Sequence, residues 1–261
     1  MKLHNKKIVL TGASGGIGAK TAAILASGGA NLVLVGRNQA KLDKVADSLP
    51  AGLRHHQTVA ADLASIDGRE AVVDAADQAD VLINMAGINQ LSLLTQMSDQ
   101  QVSDMINSNL TVPMLLTKAL VPILKSRPEA AIINVGSILG SIGMPGSVAY
   151  CASKFGLRGF TESLHRELSN TNINVSYIAP RATETAMNDD VARALNLELG
   201  NNVDAPEMVA KIIVESLKSS KSVRKYIGWP EKLFVRVNAV LPSLVDGSLI
   251  KQLPIIQKYT Q

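Results

Sequence analysis

The chain reads Thr11-Gly12-Ala13-Ser14-Gly15-Gly16-Ile17-Gly18 directly after its first apolar run, Lys7–Leu10. The run has the composition of a buried strand, and the segment that follows, Gly16–Ser27, has helical periodicity. Glycines between a strand and a helix allow a tight turn and let the backbone approach a phosphate at the helix N-terminus. This stretch therefore predicts a dinucleotide-binding unit at the start of the chain.

Beyond this turn, short apolar runs alternate with longer segments of helical period, which is typical of parallel βαβ units. The predicted strands are Lys7–Leu10, Asn31–Val35, Leu53–Val59, Val81–Asn84, Ala131–Val135, Asn174–Ile178 and Val223–Ile227. The predicted helices are Gly16–Ser27, Gln39–Ser48, Asp67–Ala76, Asp99–Ser126, Val148–Ser169 and Pro206–Lys218. The order predicts an α/β fold, a Rossmann-type doubly wound sheet of about seven parallel strands with helices on both faces, in a single domain.

Composition excludes several classes of protein. The chain has 261 residues, of which 46% are hydrophobic, 18% charged and 3% aromatic. Scarce aromatic residues argue against a base-stacking nucleic-acid surface, and the single cysteine, Cys151, excludes a disulfide framework and a cysteine-based zinc site. The four histidines (His4, His55, His56 and His165) lack metal-binding spacing. With neither a secretory signal nor an apolar run of about 18 residues, we expect a soluble cytoplasmic protein.

The end of the second predicted strand predicts which dinucleotide is bound. An acid at this place bonds the ribose 2′-hydroxyl of NAD, whereas an arginine suits the 2′-phosphate of NADP. The strand ends Val35-Gly36-Arg37-Asn38, so the acid is missing and Arg37 offers a charge-assisted contact to a phosphate. The alternative is a solvated arginine in a turn. The sequence thus predicts NADP(H).

Tyr150 and Lys154 are separated by one helical turn and share a helix face. A lysine ammonium beside a phenol favours the phenolate, so we expect a lowered pKa of Tyr150, as suits a general acid/base. Ser137 lies just past the strand Ala131–Val135, at the sheet edge where open α/β folds bind ligands. These three side chains are candidate catalytic groups.

From residue 6 to about residue 227 the chain resembles the short-chain dehydrogenase/reductase family, through several motifs at matching spacing. The resemblance implies that Asn109, Ser137, Tyr150 and Lys154 are catalytic, with Asn107 a weaker candidate for the asparagine. The implied cofactor-binding residues are Thr11, Gly12, Ser14, Gly16, Ile17, Gly18, Arg37, Asp62, Leu63, Asn84, Ala86, Gly87, Tyr150, Lys154, Pro180 and Thr185. One departure is Arg181, which follows Pro180 where the family usually has glycine, and it leaves the local backbone conformation and the direction of its side chain open.

The resemblance also implies an activity: NADPH-dependent hydride transfer that interconverts a ketone or aldehyde and an alcohol. The segment Ile138–Pro145 is nearly free of charge, which favours an apolar substrate. Met187, Leu195, Leu197 and Leu199 form either a lid over it or part of the packed body. A second hypothesis is a catalytically silent dinucleotide-binding sensor or scaffold, and a third is a membrane-surface platform.

We divide the chain into a catalytic core, 1–228, and a C-terminal extension, 229–261, that is no separate domain. The extension has an apolar stripe at helical period that Pro242 should kink or end. Residues 211–261 carry nine Lys/Arg against three Asp/Glu, which suits contact with an anionic membrane surface or an apolar partner. The alternatives are that the extension covers the substrate cleft or pads a subunit interface. In the resembling family the long helices pack against a partner, so we also expect a homo-oligomer, a dimer or a tetramer.

Overall fold

Strands and helices alternate along the chain in the computed structural model, which describes residues 1–50, 56–219 and 221–260. The strands are β1 (Lys7–Thr11), β2 (Asn31–Gly36), β3 (Gln57–Ala60), β4 (Val81–Asn84), β5 (Ala130–Val135), β6 (Ile173–Ala179) and β7 (Arg224–Tyr226). The helices are α1 (Gly16–Ser27), α2 (Gln39–Ser48), α3 (Ile66–Ala75), α4 (Asp99–Ile106), α5 (Val112–Lys125), α6 (Val148–Glu167), α7 (Asp190–Glu198), α8 (Pro206–Lys218), α9 (Glu231–Val240) and α10 (Pro242–Lys258).

All strands of the sheet are parallel, in the order β3-β2-β1-β4-β5-β6-β7. The predicted doubly wound sheet is therefore confirmed. The strand order reverses between β1 and β4, because β1 lies between β2 and β4. The carboxyl ends of these two strands border the crevice where such sheets bind ligands.

Each face of the sheet carries its own apolar layer. Ile8 and Leu10 pack with α1, α2 and α8 on one face, whereas Val9 packs with α3 and α5 on the other. Successive strand residues point to opposite faces, so a strand buried on both faces must be apolar at every position. This requirement explains why the strands were recognisable as continuous apolar runs.

The predicted elements match the structure to within two residues at each end, with two exceptions. The strand predicted at Leu53–Val59 is observed only as β3, and its residues 53–55 lie outside the described residues, as does His55. The helix predicted at Asp99–Ser126 is interrupted between α4 and α5 by a π-helical turn, Asn107–Thr111. Such turns carry an extra residue and are frequent at functional sites.

The extension forms α9 and α10, and the break falls where Pro242 predicted it, since α9 ends at Val240 and Pro242 begins α10. Val235 of α9 packs with Ile138 and Ile142, which follow β5. Near the end of α10, Ile256 is fully buried. Within the described ranges, no helix combines the length and apolarity needed to cross a membrane.

Candidate active site

The glycine-rich turn between β1 and α1 is docked on the turn that follows β4. Gly12 has a φ of +69°, and a Cβ atom there would lie 2.9 Å from the Ala86 amide nitrogen. Thr11 Oγ1 accepts hydrogen bonds from the amides of Met85 (2.9 Å) and Ala86 (3.1 Å). At Gly18 a Cβ atom would collide with the Gly12 carbonyl oxygen. These contacts bring the two predicted cofactor segments together at the crevice.

The N-terminus of α1 is suited to an anionic group. Its N-cap residue, Gly15, provides no side-chain hydrogen bond, and the first turn contains no acid. The first amides of the helix are thus not capped by a side chain, and backbone amides with the helix dipole favour a phosphate there. The residues of the turn therefore fit the pyrophosphate of a dinucleotide.

Arg37 lies beside this turn, at the end of β2. A Cβ atom at the neighbouring Gly36 would lie 3.2 Å from Ser14 Oγ, which places the strand end against the glycine-rich turn. Arg37 is exposed, and no hydrogen bond or ion pair to another described residue occupies its guanidinium. The side chain is thus available to a phosphate near the turn.

Ser137, Tyr150 and Lys154 line one cavity of about 700 Å³, together with Ile17, Gly87, Pro180 and Thr185 of the predicted cofactor set. Ser137 Oγ accepts a hydrogen bond from the Leu139 amide (3.1 Å) and is hydrogen-bonded to Tyr150. Lys154 Nζ donates to the Val135 carbonyl (3.3 Å) and lies 5.7 Å from the centroid of the Tyr150 ring. The three candidate catalytic side chains therefore face the same space.

Burial shifts the pKa of Tyr150 in the direction opposite to the one that its pairing with Lys154 predicted. Loss of solvent raises the pKa of Tyr150 to about 12, against the smaller lowering effect of its hydrogen bond with Ser137. The loss of solvent also lowers the pKa of Lys154 to about 8. In the protein alone the pKa of Tyr150 is thus raised and not lowered as expected, and desolvation of the phenolate is the largest cause. Tyr150 consequently holds its proton at neutral pH.

Asn109, the fourth predicted catalytic residue, lies in the π-helical turn and is fully buried. Its side-chain oxygen accepts from the Ile88 amide (2.8 Å), and its amide nitrogen donates to the Ile88 carbonyl (2.9 Å) and Ser153 Oγ (3.1 Å). The side chain thus joins the segment after β4 to α6 and does not line the cavity. Asn107, the weaker candidate, begins the same turn.

Asn84, Leu63 and Asp62 are predicted cofactor residues that do not line the cavity. The buried Asn84 amide donates to Thr117 Oγ1 (3.0 Å) and Asn134 Oδ1 (2.8 Å), beneath the crevice. Leu63 is buried in the apolar layer, whereas Asp62 is exposed and accepts from the Ala64 amide. None of these three side chains reaches the cavity wall, and their part in cofactor binding stays a prediction.

Arg181 lines the cavity, but its guanidinium is engaged by acidic side chains of the protein. Its guanidinium donates to Asp204 Oδ1 (2.7 and 3.0 Å), to both Glu231 carboxylate oxygens and to the Trp229 carbonyl. Arg181 is absent from the described residues with positive φ, so the missing glycine costs no left-handed strain.

Thr185 lies on the glycine-rich turn, its methyl 2.8 Å from a Cβ atom built at Gly16.

The extension forms much of the apolar wall of the cavity. Phe234, Val237, Leu244, Val245 and Leu249 all line it, so the extension covers the cleft, one of the alternatives that the sequence left open. Of the four residues predicted as a lid, Met187 and Leu195 line the cavity. Leu197 is exposed, and Leu199 is not part of the cavity wall. The ion pairs of Arg181 with Asp204 and Glu231 join the extension to the core. In the sequence, the only sign of these ion pairs was an arginine in place of the glycine that usually follows Pro180.

Among residues 1–50, 56–219 and 221–260, no three or more His, Cys, Asp or Glu side chains are grouped to hold an ion. The reactive groups that Ser137, Tyr150 and Lys154 bring to the cavity are a hydroxyl, a phenol and an ammonium.

The comparisons with known proteins agree with this geometry. A family model described as short chain dehydrogenase matches residues 6–196. The chain is 32% identical over 220 residues to 3-oxoacyl-(acyl-carrier-protein) reductase FabG of Vibrio harveyi, covering 82% of this chain and 90% of that protein. It is 37% identical over 195 residues to nodulation protein G of Rhizobium sp. (strain N33), covering 72% and 77%. The solved structure of a short chain dehydrogenase/reductase family protein shares the fold, with a TM-score of 0.76 at 23% identity over 87% of this chain and 97% of that one.

Proposed function

Since this chain belongs to the short-chain dehydrogenase family, and is therefore an oxidoreductase that uses a nicotinamide dinucleotide, we propose that it reduces an apolar ketone or aldehyde with NADPH, or catalyses the reverse oxidation. The observation that carries the proposal is the meeting of Ser137, Tyr150 and Lys154 in one largely apolar cavity. The 3-oxoacyl group for which the Vibrio relative is named has a ketone on an apolar chain and belongs to the proposed class.

In the proposed reduction the protein binds the carbonyl oxygen and supplies its proton. Ser137 Oγ accepts from the Leu139 amide, and in the proposed complex its hydroxyl hydrogen donates to the substrate oxygen. Tyr150, protonated at neutral pH, is the acid that protonates this oxygen. NADPH, when bound, supplies the hydride.

Lys154 and Asn109 have supporting roles in the proposal. Only one of the three Nζ hydrogens of Lys154 is used by the Val135 carbonyl, so the others can bind ribose hydroxyls next to Gly87. Asn109 holds the segment after β4 through both backbone groups of Ile88, and we assign to its π-helical turn the water that returns protons to the site. The core 1–228 thus carries the chemistry, and the extension 229–261 completes the cleft without forming a domain.

A substrate panel tests this function. Ketones, aldehydes, steroids and 3-oxoacyl thioesters are offered with NADPH, and the loss of nicotinamide absorbance is followed. We expect turnover of apolar members of the panel and little turnover of charged, short ones. Tight binding of NADPH with no turnover of any member would instead support the alternative, a silent sensor or scaffold.

Arg37 provides a test of the cofactor preference. We expect wild type to bind NADPH more tightly than NADH, and Arg37→Ala to weaken NADPH binding by roughly one to two decades, since a charge-assisted phosphate contact contributes about 1.5–3 kcal/mol. NADH binding should change little. The matched control is Lys41→Ala, which removes an exposed positive charge from the first turn of the next helix. Equal affinity of wild type for both cofactors would contradict the preference.

Two apolar surfaces support the predicted partners, which remain proposals. On α5 and α6, Met114, Leu115 and Phe155 are exposed, whereas Leu116 and Leu157 of the same helices are core residues, so only part of this apolar content is left for a second copy of the chain. On the extension, the exposed apolar residues outside the cavity wall include Trp229, Leu233, Val240, Leu241 and Ile250, and the cations Lys232, Arg236 and Lys251 are exposed as well. Apolar and basic groups side by side suit an anionic bilayer surface.

We expect a light-scattering mass of twice or four times 27.6 kDa, and sedimentation of the protein with anionic but not neutral vesicles. Val240→Asp with Ile250→Asp should abolish sedimentation with vesicles and leave the mass unchanged. Leu197→Asp, at an exposed leucine of α7, is the control for an added charge. A monomeric mass refutes the oligomer, and a full-length protein that never sediments with vesicles refutes the membrane contact.

A further inference from the structure

Tyr177 is a buried tyrosine of β6 to which no role has been assigned so far. It is 2% exposed and does not line the cavity. Its hydroxyl nevertheless lies against the backbone of Ser137: Tyr177 Oη donates to the Ser137 carbonyl (3.2 Å) and accepts from the Ser137 amide (3.4 Å). One phenol thus contacts both backbone polar groups of a residue of the proposed catalytic set.

Two glycines make room for this ring. A Cβ atom at Gly136 would collide with the Tyr177 ring, and one at Gly140 would lie 2.5 Å from Tyr177 Oη. Since these glycines stand on either side of Ser137, the loop after β5 can close over the phenol only because both lack a side chain. The fit between ring and loop indicates a specific contact rather than general filling of the core.

The ring is itself held from the far side. Tyr226 packs edge-on against it, with centroids 6.3 Å apart and planes at 68°. Ser141 Oγ donates to Tyr226 Oη (3.4 Å) and accepts from Arg158 Nη1 (2.8 Å), so the end of the same loop is anchored by a second phenol and a guanidinium. Burial raises the pKa of Tyr177, which keeps its hydroxyl protonated and able to donate.

We propose that Tyr177 is a positioning residue, which sets the Ser137 hydroxyl for catalysis by fixing the Ser137 backbone. A backbone held at both its amide and its carbonyl leaves the side chain little freedom beyond χ1, and Ser137 Oγ is the atom that meets Tyr150. The proposal rests on the proposed function, since it assigns Tyr177 a part in the same reaction.

The first test compares Tyr177→Phe with Tyr226→Phe, each of which removes one hydroxyl from the same ring pair. We expect Tyr177→Phe to lower kcat about three- to ten-fold, the equivalent of one hydrogen bond, with the KM for NADPH unchanged. Tyr226→Phe should retain the wild-type kcat, because its hydroxyl contacts Ser141 and not Ser137. Equal losses in the two variants would show a general packing role and overturn the proposal.

A double-mutant cycle separates positioning from structure. If Tyr177 acts only through the Ser137 hydroxyl, Tyr177→Phe should have no further effect on kcat in a Ser137→Ala background. A weaker hydrogen bond from Ser137 also raises the pKa of Tyr150, so the pH profile of alcohol oxidation by Tyr177→Phe should shift to higher pH. Additive losses with an unshifted profile contradict the proposal.

A measurement without turnover distinguishes failure of this proposal from failure of the proposed function. Amide hydrogen exchange at Ser137 and its neighbours Gly136 and Ile138, which the Tyr226 hydroxyl does not contact, should become faster in Tyr177→Phe than in wild type or Tyr226→Phe, whether or not a substrate is known. Wild type without activity but with this difference would overturn the function and leave the contact with Ser137 supported. Unchanged exchange in an active enzyme would overturn the positioning role alone.

Discussion

Tyr150→Phe should lose turnover almost completely while binding NADPH nearly as well as wild type. The substitution keeps the ring that lines the cavity and removes only the hydroxyl that carries the transferable proton. General acid–base catalysis contributes about 10²–10⁴-fold, and kcat should fall within this range. The measurements are kcat on the best substrate of the panel and the NADPH dissociation constant of each protein.

The comparison variants make this result specific. Lys154→Ala should harm both NADPH binding and kcat, because Lys154 Nζ is placed to bind the cofactor and lies beside the Tyr150 ring. Tyr226→Phe, which removes a phenol hydroxyl outside the cavity lining, should keep the wild-type kcat. Retention of most of the wild-type kcat by Tyr150→Phe would mean that another group is the acid.

Of the substitutions proposed for this protein, Arg181→Ala should lower the free energy of unfolding the most. The side chain of Arg181 is 16% exposed, and that of its partner Asp204 only 4%. Asp204 Oδ2 already has no hydrogen-bond partner among the described residues, so removing the guanidinium leaves a buried, uncompensated carboxylate. Breaking such a pair is strongly destabilising, and we expect the free energy of unfolding to fall by about 2–4 kcal/mol.

The same variant should alter the cleft, because Arg181 also holds Glu231 at the start of α9 (3.0 Å). Without this ion pair the wall formed by Phe234 and Val237 loses one of its links to the core, and the KM for an apolar substrate should rise more than the KM for NADPH. Arg166→Ala is the matched control, since its ion pair with Glu162 lies on the surface. If Arg181→Ala has the same free energy of unfolding as wild type, the ion pairs of Arg181 do not stabilise the extension.

Local sequence patterns were sufficient for the architecture and for half of the site. Continuous apolar runs predicted the strands because burial on both faces demands apolar residues at every position. The glycines of residues 11–18 predicted the turn because only they allow its φ angles and close contacts. Tyr150, Lys154 and Ser137 could be placed together because helical spacing and the strand end determine their directions within a short stretch of chain.

Long-range contacts could not be predicted in the same way. The low acidity of Tyr150 depends on how completely the surrounding chain removes water from it, which no spacing reports. Asn109 and Asn84 have the residue types of binding groups, yet their amides are engaged inside the protein.

The most distant parts of the chain depended most on the tertiary structure. The apolar stripe of the extension was compatible with a lipid surface, a subunit interface or the cleft, because periodicity shows that a helix has an apolar face but not what covers it. In the folded protein Asp204 and Glu231 form ion pairs with Arg181, which lies 23 and 50 residues before them in the chain. These contacts hold the extension against the cleft. The partner of a charged or apolar side chain is chosen by which surfaces the folded backbone brings within a few ångströms, and sequence spacing carries that information only inside a single element.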